Sequence, residues 1–108
     1  MASELLKVAF KATLTDSEHI LINGVNGHTY TILSITFCET AGNAETFDIY
    51  VDDGDAGTDH YIYKSQAIAA NATFEHTSKF VIEGTDMLGM IASSGDLDVV
   101  VSYLDQTL

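Results

Sequence analysis

The residues best suited to chemistry are the carboxylates of residues 51–59, a segment with four aspartates and two glycines. Calcium takes six to eight oxygen ligands in flexible geometry, so these aspartates are weak candidates for a cation site. They are Asp52, Asp53, Asp55 and Asp59. The segment lacks the ligand order of an EF-hand loop, and Asp-Gly is a common turn pair. A solvated hairpin turn is therefore the favoured interpretation.

The other groups that could bind a metal or attack a substrate are dispersed. The four histidines show no paired spacing of the kind that zinc sites use, and Cys38 is the sole cysteine. The sequence contains no serine elbow and no glycine loop that would bind phosphate. We therefore predict no catalytic residues, no metal and no cofactor.

Two groups of side chains are candidates for an interaction surface. Tyr61 and Tyr63 share one face of a predicted strand, and Tyr50 lies close to the acidic segment. Tyrosine combines an apolar body with a polar tip, which suits a sugar platform or a protein interface. Pairing of the tyrosines across neighbouring strands explains them equally well. Leu5 and Leu6 are the second group, because they are apolar and have no obvious partner.

Composition excludes several classes of function. The chain has 108 residues, 16 acidic and 4 basic, and a formal net charge of −12. Nucleic acid and anionic membranes would repel it, so we expect neither as a partner. No apolar run reaches the roughly 18 residues that span a bilayer, and no signal peptide is predicted. A single cysteine excludes an internal disulfide and favours synthesis in a reducing cytoplasm.

Alternating apolar residues predict the strands that must position these side chains. In residues 5–14 the alternate positions from Leu6 to Leu14 are apolar, and we expect them to face the core while Lys7 and Lys11 face solvent. Residues 97–104 show the same alternation. The run 28–38 changes phase near Ile32, which predicts a bulge or a strand buried on both faces. Further candidates are residues 18–22, 47–51, 61–63, 72–76, 79–83 and 87–93.

About eight short strands separated by polar turns predict an all-β fold. We expect one antiparallel β-sandwich domain, jelly-roll-like, over residues 1–108. Residues 1–6 would form an N-terminal arm. The chain has no proline, which commonly blocks strand edges, so we expect those edges to be charged or paired with another chain.

Five stretches carry a family resemblance: residues 32–38, 47–51, 60–63, 67–73 and 97–102. The most specific is Ala-Ile-Ala-Ala-Asn-Ala-Thr at 67–73, which follows an aromatic strand. Together they resemble a group of small all-β virion proteins of tailed bacteriophages, among them capsid decoration (cement) proteins. The chain departs from that pattern around residues 52–55, where the family often has arginine or proline.

The resemblance implies a non-enzymatic virion protein on the exterior of the capsid, synthesised in the host cytoplasm. Its partner would be the major capsid protein, and threefold positions on the lattice favour a homo-trimer. One alternative is a receptor- or glycan-binding module of a phage tail or fibre that uses the three tyrosines. Another is a calcium-dependent binding domain that uses the acidic segment.

Overall fold

The computed structural model describes residues 3–54 and 57–107, and within these ranges the chain forms nine strands and no helix. The described residues therefore offer no helix long and apolar enough to cross a membrane. The strands are β1 Ser3–Leu14, β2 His19–Asn23, β3 His28–Glu39, β4 Glu45–Asp53, β5 Thr58–Ile68, β6 Thr73–His76, β7 Phe80–Glu83, β8 Met87–Ala92 and β9 Leu97–Thr107.

The strands form two antiparallel sheets. One has the order β1-β9-β3-β6, with β7 also paired to β3, and the other has the order β2-β8-β4-β5. Short strands β6 and β7 pair with successive halves of β3, so together they occupy one strand position. This arrangement is a double-sheet jelly roll. The predicted all-β sandwich is confirmed.

The core lies between the two sheets and is built from alternate residues of their strands. Val99 and Val101 of β9 are buried, which confirms the inward face predicted for the last strand. Phe37 of β3 and Phe47 of β4 stack with ring centroids 4.3 Å apart and join the sheets. The register of β3 against β9 shifts between Ile32 and Ser34, which is the bulge predicted from the change of phase.

The face assigned to β1 from its alternation is wrong. Leu6, Val8 and Phe10 are 77%, 53% and 71% exposed. The register of β1 against β9 shifts between Lys11 and Leu14, so Leu14 is buried although it shares sequence parity with the exposed residues. The apolar positions therefore lie on the outer surface of the sheet for most of the strand.

Most of the predicted N-terminal arm is part of β1. Residues 3–6 pair in continuous register with residues 104–107 of β9. Met1 and Ala2, the rest of the predicted arm, lie outside the described residues.

Candidate interaction surfaces

The outer surface of the β1-β9-β3 sheet carries a cluster of exposed apolar side chains. Leu6 stands opposite Leu104, and Phe10 stands opposite Val100, whereas Val101 and Tyr103 of β9 lie on the core side. Val81 of β7 belongs to the same surface and is 57% exposed. We call this cluster the outer apolar face; its members are the exposed residues Leu6, Val8, Phe10, Val81 and Val100 and the partly buried Leu104.

The outer apolar face is comparable in area to the largest apolar patch that a typical monomeric protein exposes. Taking roughly 150–200 Å² for a fully exposed apolar side chain, its exposed fractions amount to on the order of 500 Å². Monomeric proteins rarely expose larger apolar patches, and patches of this size are often functional. The strand neighbours of its members are mainly hydroxyl residues, among them Thr31, Thr36 and Ser102. The face thus concentrates apolar surface in a chain of net charge −12.

Leu5 and Leu6, predicted as one interaction surface, lie on opposite sides of β1. Both are exposed, Leu5 to 52%. Leu5 stands opposite Asp105, which is buried, so it belongs to the inner side of the sheet near its edge. Only Leu6 joins the outer apolar face.

A buried carboxylate joins three strands beneath this face. Asp105 of β9 is buried, and its Oδ2 lies 2.8 Å from Lys7 Nζ of β1 while its Oδ1 lies 2.7 Å from His28 Nδ1 of β3. Burial raises the pKa of Asp105, but the hydrogen bonds from Lys7 and His28 outweigh that effect, so its pKa is lowered overall. The same contact raises the pKa of Lys7. These charged hydrogen bonds hold β1 against the rest of the sheet.

The three tyrosines do not form a common exposed surface. Tyr50 is fully buried, and its hydroxyl donates to Glu18 Oε2. Burial, followed by that hydrogen bond, raises the pKa of Tyr50. Tyr63 is partly buried, with its hydroxyl 2.8 Å from His76 Nδ1. Only Tyr61 is well exposed, at 46%. Tyr50 cannot contribute to the predicted interaction surface, because the Tyr61 ring and Glu18 cover it.

The acidic segment forms the end of the β4–β5 hairpin. Asp52 stands opposite Asp59, and the Gly57 amide donates to the Asp53 carbonyl at 2.6 Å. Asp55 lies outside the described residues. Asp59 is exposed, but partial desolvation of its carboxylate, followed by the nearby charges of Asp52 and Glu18, raises its pKa. Among the described residues no group of three or more His, Cys, Asp or Glu side chains could hold a metal ion.

A polar cleft that the sequence did not predict lies where the β2–β3, β4–β5 and β7–β8 loops meet. Its volume is about 620 Å³, and its lining includes His28, His60 and the carboxylates Asp53, Glu83 and Asp86. His60 Nε2 lies 4.0 Å from Asp53 Oδ2. The two histidines are 32 positions apart in the sequence, which gives no local signal that they share a site.

Two buried glutamates lie near the C-terminal end of β3. The Glu39 carboxylate accepts hydrogen bonds from the amides of Ala41, Gly42, Asn43 and Asn71 at 2.8–3.0 Å. These bonds, that from Asn71 above all, lower the pKa of Glu39. Burial of the Glu45 carboxylate raises the pKa of Glu45, and hydrogen bonds from Ser94 oppose that effect only in part. Glu39 is a structural anchor that joins the loop after β3 to the turn before β6.

Comparison with known proteins places the fold. No protein-family model and no curated protein matches the chain. A subunit of the disulfide-linked pili that form Bacillus endospore appendages superposes with a TM-score of 0.60 at 12% identity, over 100% of this chain and 91% of that one. A chain of the acid-stable capsid of Helicobacter pylori bacteriophage KHP30 gives 0.55 at 12% identity, over 100% and 94%.

A chain of infectious bursal disease virus, Gx strain, gives a TM-score of 0.53 at 12% identity, and the likeness covers all of this chain but 33% of the viral one. These neighbours come from a pilus and from virus particles. At such identities the likeness shows a shared fold, a jelly roll that occurs in proteins of large assemblies.

Proposed function

We propose that this chain is a non-enzymatic structural protein of a tailed-phage particle, a decoration protein that binds the outside of the coat lattice. The observation that carries the proposal is the outer apolar face, on the order of 500 Å² of exposed apolar surface on a regular sheet. The shared fold of the capsid and pilus neighbours supports a role in an assembly.

The charge distribution suits the outside of a particle. Packed DNA inside a capsid would repel a chain of net charge −12, whereas the outer surface imposes no such cost. The partner is the major capsid protein, and its contact surface would be flat and poor in charge, to match the outer apolar face. Many copies bound to one lattice would gain stability through multivalency.

The resemblance to decoration proteins favours a closed homo-oligomer, with a trimer at threefold positions of the lattice. The trimer is a prediction from that resemblance alone; pairing through the edge of β1 would give a dimer instead, and the oligomeric state of the free protein decides between the two. The location on the virion exterior, after synthesis in the host cytoplasm, is part of the same proposal.

A substitution in the middle of the outer apolar face tests the proposal. Val100→Glu places a charge on β9, away from the sheet edge, and Val25→Glu adds the same charge at a 53% exposed position in the β2–β3 loop. Purified variants are added to phage particles that lack this protein, and bound copies per particle are counted by quantitative mass spectrometry.

Val100→Glu is expected to lose most of its occupancy, while Val25→Glu binds like the unchanged protein. Far-UV circular dichroism verifies that both variants keep the β fold. Occupancy by Val100→Glu equal to that of Val25→Glu would overturn attachment through this face.

The alternative is a receptor- or glycan-binding module of a tail or fibre, favoured by the polar cleft and by Tyr61. The volume of the polar cleft, about 620 Å³, falls within the range of small-ligand sites. The Lys64 ammonium group lies over the Tyr61 ring, with Nζ 4.5 Å from the ring centre. Copy number separates the two functions: hundreds of copies per particle fit decoration, and a few to a few dozen at the tail fit the module.

A further inference from the structure

The four sheet edges differ in how well they are protected against pairing with another chain. Strands β2, β6 and β7 have five, four and four residues. Strand β5 has 11 residues, but its register against β4 shifts twice, and Ser65 has a positive φ of 52°. Short strands and bulges are the usual means of blocking an edge.

The edge formed by β1 is long, and its one register shift lies near its C-terminal end, between Lys11 and Leu14. It has 12 residues and pairs with β9 in unbroken register from Ser3 to Lys11. In the sheet order it stands at the end of the path, so its second edge faces outward. Lysine is another common edge blocker, but the ammonium group of Lys7 bonds Asp105 of its own chain. A long, regular and open edge of this kind is a template for strand addition.

The charge on β1 also favours contact between two copies. Most of the chain is acidic, yet β1 contains Lys7 and Lys11 against the single carboxylate Glu4, a net charge of +1 for the strand in a chain of −12. Because Lys7 is paired with Asp105 of its own chain and Lys11 balances Glu4, two copies that approach through β1 meet little net charge at this edge. This approach also places the apolar residues of both copies side by side.

We infer that β1 pairs with β1 of a second copy in antiparallel orientation about a twofold axis, joining the two sheets into one. Side chains directly opposite each other must lie on the same face of the joined sheet. A twofold axis at Lys7 would oppose the two Lys7 side chains, and an axis at Ala9 would oppose Lys7 to Lys11. An axis at Val8 avoids both and opposes Leu6 to Phe10 of the partner copy.

The pairing joins two outer apolar faces into one surface. Each copy contributes on the order of 500 Å², so the dimer presents about 1,000 Å². This is more than the roughly 800 Å² that each partner buries in a standard interface. The consequence for coat attachment rests on the proposed function, but the dimer itself does not.

Opposite charges at Val8 test the inference in the free protein. Analytical ultracentrifugation over a concentration series compares the unchanged chain with Val8→Lys, Val8→Glu and an equimolar mixture of the two. The matched control is Val81→Lys, which adds the same charge to the same face, on β7 at the far side of the sheet. Because Val8 lies on the twofold axis, each single variant places like charges directly opposite one another.

The unchanged chain and Val81→Lys are expected to be dimers. Each Val8 variant alone should dissociate with a Kd on the order of 100-fold higher, since opposed like charges cost several kcal/mol. The mixture should dimerise again. A monomer or trimer for the unchanged chain would overturn the inference, and so would equal weakening by Val81→Lys. Failure of Val100→Glu to reduce particle binding would instead count against the coat contact, since Val100 lies on β9, away from the paired edge.

Discussion

Replacing Asp105 by asparagine removes the charge that joins β1, β9 and β3, and it should destabilise the fold by about 2 kcal/mol. Hydrogen bonds to a charged group contribute roughly 1.5–3 kcal/mol each, and Asp105 receives two. Asparagine keeps one acceptor oxygen, and the Lys7 side chain is 42% exposed and can turn to water. Both effects keep the loss near that of a single charged hydrogen bond. A melting temperature lower by about 10 °C is the corresponding shift.

The dependence on pH gives this prediction a second readout. The pKa of Asp105 is lowered from 3.8 in the folded state. Its contribution to stability is therefore complete above that ordinary value and is lost as the pH falls through the lower folded pKa. The difference between the unchanged protein and Asp105→Asn should shrink below about pH 4.

Urea unfolding followed by far-UV circular dichroism measures these differences. Asp16→Asn is the matched control, because it removes the same charge from an exposed turn between β1 and β2 and should change stability by less than about 0.5 kcal/mol. If Asp105→Asn is no more costly than Asp16→Asn at neutral pH, the carboxylate does not hold the strands as described.

Three further outcomes are expected. Gly89→Ala should cost about 1–3 kcal/mol in urea unfolding, because a Cβ there would lie 2.8 Å from the Tyr50 ring; no loss would show that the ring moves freely. Glu45→Gln should raise the free energy of unfolding at about pH 7 by roughly 1 kcal/mol, because the raised pKa of Glu45 means that ionisation of its buried carboxylate destabilises the folded state. Below about pH 4, where the Glu45 carboxyl is protonated, the variant should be as stable as the unchanged protein. A less stable variant at neutral pH would contradict this. Millimolar calcium should leave the melting temperature unchanged, and a calcium-selective rise that is lost in Asp53→Ala would establish a site in the acidic segment.

Much of the fold was predictable from local pattern. The alternation in residues 97–104 identified β9 and its buried face, since this strand lies within a sheet that packs on the other. The change of phase at Ile32 located the β3 bulge. The Asp-Gly pair indicated the turn after β4. In each case neighbouring residues determine the backbone, so a short window of sequence contains the information.

The candidate interaction surfaces and the polar cleft were less predictable, because the residues that form them are distant in the chain. Tyr50 reads as a half-exposed strand residue, yet the Tyr61 ring and Glu18 from another loop cover it. The polar cleft brings together three loops. The bonds between Lys7, His28 and Asp105 join the beginning, the middle and the end of the chain. No local pattern encodes such contacts.

By itself the sequence determined that β1 is a strand with one apolar face, and that the protein is an acidic all-β domain. Only the tertiary structure decided which way that face points. Alternation shows that the two sides of a strand differ, but the packing of the sheets decides which side is covered. Here β1 stands at the edge of its sheet with Lys7 turned toward the buried Asp105, so its apolar residues are left on the outer surface.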